Sequence, residues 1–181
     1  MSLSDEELSK GLAIAYDLFR RGALEDVQIL CERLLREKGD HPDLLTLLGM
    51  ALTQNGNLDF AIVQFKKSVQ IAPDVARYHN NLGLALKRAG LTNEAKEAYR
   101  TALSIDSTYA QAHNNLGILA LERRDFSEAI LRFESALRSD PLSREAGKNL
   151  ARALLDNGQF ARSVEQYRSI LIQTPEDPDL F

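Results

Sequence analysis

Residues 79–83 read HNNLG, and residues 113–117 read HNNLG again. Asparagine is a poor helix former, because its short amide competes for nearby backbone groups. Two adjacent asparagines inside an otherwise helical pattern point to a helix held by packing rather than by propensity. The two copies lie 34 residues apart. The same step back from Gly83 reaches Gly49 and then Ala15, and the step forward from Gly117 reaches Ala151. Five segments share this register, about 8–41, 42–75, 76–109, 110–143 and 144–177, with a short tail at 178–181. A fixed period of this length marks a repeat architecture.

The second half of each segment keeps the same register. Val27, Ala61, Ala95, Ala129 and Ser163 share one phase, and Cys31, Phe65, Tyr99, Phe133 and Tyr167 follow four residues later. Ser68, Ala102, Ala136 and Ile170 come three residues after those. Pro73, Pro141 and Pro175 close three segments, where Gly39 and Ser107 stand in two others. Proline ends a helix because it lacks an N–H and clashes with the preceding turn. Gly22, Gly56, Gly90 and Gly158 fall mid-segment, where a helix end needs a left-handed residue; Arg124 holds that place in the fourth. Each segment therefore reads helix, tight turn, helix. Small residues at Gly49, Gly83 and Gly117 and at Ala61, Ala95 and Ala129 let paired helices approach to about 8–10 Å. No pair can bury its apolar face alone, so neighbours must stack. Ser4 and Glu7 form a capping-box signature that starts the first helix.

Bulk properties narrow the function. With 44% apolar and 27% charged residues the chain reads as folded rather than disordered. A net charge of −4 offers no electrostatic case for nucleic acid. The single Cys31 rules out an internal disulfide and a cysteine-only metal cage, and it reads as a small core residue rather than a reactive thiol. The acidic, polar start does not suit a secretory or mitochondrial signal, and no apolar run approaches the ~20 residues of a membrane span, so the cytoplasm is the default location. Phosphate-binding loops, HExxH and nucleophile elbows are missing, so no enzyme, cofactor or metal site is expected. His79 and His113 share a phase and read as stand-ins for bulky packing residues, not as a metal pair.

The pattern resembles the tetratricopeptide repeat family over nearly the whole chain. That resemblance implies an all-α fold, a right-handed α-α superhelical solenoid of five helix pairs in a single array over 1–181. The family's tryptophan is absent, and His79 and His113 take its slot. The inner wall of such a stack is lined by the first helix of each pair. Counting each segment from its first residue, positions two, five, six, nine, twelve and thirteen lean toward that wall. They include Met50 in the second segment, and Arg77, Asn80, Asn81, Leu84 and Arg88 in the third. The fourth contributes Asn114, Asn115 and Ile118, and the fifth Lys148, Asn149 and Arg152. Asn81, Asn115 and Asn149 share the sixth position, and an amide can bond a peptide backbone whatever its sequence. This column resembles the asparagine ladder in the tetratricopeptide superhelix of O-linked N-acetylglucosamine transferases. The family's carboxylate clamp wants Asn at the ninth position, where this chain has Tyr16, Met50, Leu84, Ile118 and Arg152. Four of those five are apolar or aromatic and suggest a greasy stripe instead.

The expected function is a non-catalytic adaptor that holds a peptide or partner segment in its concave groove. Two other readings stand beside it, a self-assembling scaffold and the repeat part of a larger enzyme. Ile172 occupies a phase where other segments carry Arg36, Gln70, Ser104 and Arg138, which points to an uncovered last helix that could join copies into a homo-oligomer. The closing DPDLF is expected either to fold back or to enter a neighbour's groove.

Overall fold

The computed structural model describes residues 4–173, which form ten α-helices with no strand among them. They are α1 (Asp5–Arg20), α2 (Leu24–Lys38), α3 (Pro42–Gln54), α4 (Leu58–Ile71) and α5 (Ala76–Arg88). The second half holds α6 (Thr92–Ile105), α7 (Ala110–Glu122), α8 (Phe126–Ser139), α9 (Arg144–Asp156) and α10 (Phe160–Gln173). Each segment of the period yields one helix pair. Pro175 and the DPDLF tail lie outside the described residues. The chain divides into two compact units, Met1–Ala98 and Tyr99–Phe181, and the division falls inside α6.

Local chemistry sets the helix ends. Ser4 N–H donates to Glu7 Oε2 at 2.8 Å while Glu7 N–H donates to Ser4 Oγ at 3.3 Å, closing the capping box. The bonds that Ser4 makes to the Glu7 carboxylate favour its charged form and lower its pKa. Each turn within a pair ends its first helix with a left-handed residue. Gly22, Gly56, Gly90 and Gly158 have φ between 75° and 79°, and Arg124 has φ 60°. The following residue then donates its N–H five residues back, as in Asn57 to Leu52 and Asp125 to Ala120, both at 2.9 Å. This satisfies a carbonyl that the helix end would otherwise orphan.

Within the first unit, α3 packs against α1, α2, α4 and α5; within the second, α9 packs against α7, α8 and α10. The pairs close by two different fits. In α3–α4 a Cβ on Gly49 would lie 2.9 Å from the Phe65 ring, and in α7–α8 a Cβ on Gly117 would lie 2.5 Å from Phe133. In α1–α2 and α9–α10 the close glycine sits four residues earlier. Gly11 faces Leu34 and Gly147 faces Ile170, while Ala15 and Ala151 take the place of Gly49.

Candidate functional site

In the first unit, Phe19, Met50, Thr53, Gln54, Phe65, Asn81, Leu84 and Arg88 line one cleft with ≈ 90 Å³ of room. Six of these, Met50, Thr53, Gln54, Asn81, Leu84 and Arg88, stand at positions that the sequence assigns to the inner wall. They converge because positions six, nine and thirteen of α5 share a helix face that meets α3. Phe19 joins them from the twelfth position of the first segment, and Phe65 from the ring phase of α4. Arg88 Nη1 donates to the Thr53 carbonyl at 3.2 Å, anchoring the guanidinium at the C-terminal end of α3. That placement also complements the negative end of the α3 dipole. Asn81 makes no side-chain hydrogen bond among the described residues.

Arg77 is engaged differently. Its guanidinium pairs with Asp43, donates to the Tyr78 hydroxyl at 3.0 Å and lies 4.7 Å from the Tyr78 ring centroid. Tyr78 in turn donates to Asp43 Oδ1 at 2.7 Å. Burial, followed by the hydrogen bond to Asp43, pushes the Tyr78 hydroxyl up to about 12. Arg77 therefore joins α5 to α3.

The fifth position turns inward rather than onto an open wall. Asn80 and Asn114 are each 6% exposed, and Thr46 at the same phase is buried as well. Asn114 Nδ2 donates to Glu145 Oε1 at 3.0 Å, and Asn114 Oδ1 accepts from Asn149 Nδ2 at 2.9 Å. The physical reason is register: position five of one pair meets positions two and six of the next. Glu145 completes this chain and carries no sequence signal of its own beyond that phase. Asn115 and Lys148 are half-buried. Ile118 packs beside Leu121 onto the cluster of Phe133, Leu150 and Leu154. Arg152 is exposed and donates to Asp156 Oδ2 at 2.9 Å. With Leu121, Glu122, Arg124 and Phe126, these two line an open shelf of mixed charge.

The remaining polar candidates have structural partners. His79 Nε2 donates to the Pro73 carbonyl at 2.7 Å, and His113 Nε2 donates to the Ser107 carbonyl at 3.0 Å. Each histidine ties its helix to the loop six residues upstream. Cys31 is fully buried, and burial pushes its thiol up to about 12, which keeps it protonated. No group of three or more His, Cys, Asp or Glu residues that could hold a metal ion occurs among the described residues. No helix among them is long and apolar enough to cross a membrane.

Two family models match, both described as tetratricopeptide repeat, over residues 40–108 and 114–178. The chain belongs to the tetratricopeptide repeat family. Solved structures agree on the fold. A thermophilic tetratricopeptide repeat protein of Thermus thermophilus is 22% identical, with a TM-score of 0.80 over 95% of this chain and 94% of that one. The protein in a structure from the functional characterisation of Pseudomonas aeruginosa pilF reaches a TM-score of 0.85 at 20% identity, over 93% of this chain and 77% of that one. MamA of Desulfovibrio magneticus RS-1 gives 0.76 at 18% identity, over 97% and 99%. No curated protein matches the sequence. The tetratricopeptide fold class is the all-α helical-repeat superhelix, and in general its role is protein–protein interaction rather than catalysis.

Proposed function

We propose that this chain is a non-catalytic adaptor that holds a peptide or partner segment against its odd-numbered helices. The observation that carries this reading is the cleft of the first unit. There Met50 and Leu84 offer apolar contact beside an Asn81 amide without an intrachain partner among the described residues. A few polar groups set in an apolar concavity are what a binding site needs. Asn115 of the second unit stands at the same sixth position as Asn81 and is a further contact in this reading. The same reading places the protein in the cytoplasm, where a lone cysteine stays reduced. Affinity capture with mass spectrometry tests it. Partners retained by the wild-type chain should be lost by Asn81→Ala combined with Leu84→Lys, at unchanged melting temperature. Equal retention by that variant removes the cleft from the binding surface.

A second reading is supported by α10, where Phe160, Val164 and Ile172 are exposed, Ile172 by 82%. Apolar side chains clustered in this way favour association between copies. Light scattering at high concentration should then give a dimer that Ile172→Lys dissociates; a monomer at all concentrations excludes it.

A further inference from the structure

We infer that the first-unit cleft selects an extended segment carrying a branched aliphatic side chain with a carboxylate residue two positions away. This rests on the adaptor reading above and adds the chemistry of the partner. Size sets the first element. An apolar cavity of about 150 Å³ accepts a benzene ring. The first-unit cleft, with ≈ 90 Å³ of room and Phe19, Met50, Phe65 and Leu84 as its apolar lining, is smaller than that and takes a compact valine, leucine or isoleucine side chain.

Charge sets the second. Among the described residues that line the cleft, Arg88 alone is charged. One of its N–H groups is held by the Thr53 carbonyl at 3.2 Å, which orients the guanidinium. A guanidinium has five N–H donors, so others remain for a ligand, and a carboxylate matches their fork geometry. A basic residue at that place would meet a like charge with no acid in the lining to offset it.

Spacing sets the third. Leu84 and Arg88 stand four residues apart on α5, a rise of about 6 Å. Two residues of extended peptide cover about 6.6 Å and place both side chains on one face. The Asn81 amide, with a donor and an acceptor, can hold the backbone of that segment without reading its sequence. The second unit lacks this combination: Asn149 is bonded to Asn114, and Arg152 to Asp156.

Panning a random-peptide display library on the full chain tests the proposal. Enriched peptides should pair Val, Leu or Ile with Asp or Glu two residues away. Changing that acid to its amide in a synthetic enriched peptide should weaken binding at least about tenfold, the scale of a charge-assisted hydrogen bond. Arg88→Gln should weaken it equally, and panning on Arg88→Glu should enrich Lys or Arg in place of the acid. The acid-to-amide peptide needs no protein variant, so a misfolded Arg88 variant cannot hide the answer. Enriched peptides that depend on Leu84 but show no acid, or ignore Arg88→Gln, overturn the chemistry and leave the adaptor reading standing. A library that yields no binder, or binders indifferent to Leu84→Lys and Asn81→Ala, overturns both.

Discussion

The inner pairs α3–α4 and α7–α8 and the end pairs α1–α2 and α9–α10 share one register but solve the same packing problem in opposite ways. In the inner pairs a glycine on the first helix receives an aromatic ring, Gly49 under Phe65 and Gly117 under Phe133. The position four residues earlier is then filled by Leu45 or His113, opposite the small Ser68 or Ala136. In the end pairs the glycine moves to that earlier position, and Gly11 and Gly147 receive Leu34 and Ile170. The ring site is then relaxed to Ala15 with Cys31, and to Ala151 with Tyr167. Close packing requires a small residue wherever a large one arrives, and it leaves open which of the two phases supplies it. The end pairs are thus complete pairs with the volume redistributed. The last one adds a bond of its own, Ser163 Oγ donating to the Ala151 carbonyl at 2.8 Å.

The harshest test of the inner fit is Phe133→Ala, which should destabilise the protein by about 3–5 kcal/mol in urea unfolding, because a fully buried ring leaves a cavity. A loss below about 1 kcal/mol would mean that the ring site is as relaxed as in the end pairs.

The asparagines supply the next contrast, between α5 and α9. Asn149→Ala strands the buried Asn114 Oδ1 and should cost about 1–3 kcal/mol of stability. Asn81→Ala removes no bond and should change stability by less than about 0.5 kcal/mol. Parallel thermal melts decide this, and equal losses would erase the distinction between a structural and an available amide.

Gly117→Ala and Gly147→Ala compare the two glycine sites directly. At Gly117 the new Cβ would lie 2.5, 2.7 and 2.9 Å from the buried Phe133 ring. Overpacking of about 1–3 kcal/mol outweighs a helix-propensity gain of about 1 kcal/mol. At Gly147 the nearest atom is 3.2 Å away on the buried Ile170, a smaller overlap, so the propensity gain should offset more of the cost and leave that variant the more stable of the two. Stability of the two variants should therefore differ by about 1 kcal/mol.

The smallest effect is expected at the turns. Arg124 is left-handed at φ 60°, in the place that Gly158 fills in the end pair. Arg124→Gly should stabilise by up to about 1 kcal/mol by relieving that backbone. Its guanidinium lies 5.8 Å from the Phe126 ring centroid, and losing that contact offsets part of the gain. A melting temperature that falls on this substitution would show that the ring contact outweighs the strain.

Much of this architecture was legible in HNNLG and its period. The helix pairs, the turns at Gly22, Gly56, Gly90 and Gly158, and the close helix approach at Gly49 and Gly117 follow from spacing, because period and residue volume are properties of the chain itself. That the rings of Phe65 and Phe133 fill that approach within a pair was set by the packed helices. The groove residues were legible less evenly. Met50, Asn81, Leu84 and Arg88 meet in one cleft, whereas Asn80 and Asn114 are buried and Arg77 is held by Asp43 and Tyr78. Asn81 and Asn149 look equivalent when counted along the repeat. Their difference depends on what the preceding pair presents across the seam. Asn114 offers Asn149 an acceptor, while the buried Thr46 hydroxyl has no hydrogen-bond partner among the described residues. A repeat determines which positions face a neighbour by periodicity alone. Whether a polar side chain there is consumed or left available is decided by distance and direction to a residue some 35 positions away, and only the packed helices set those.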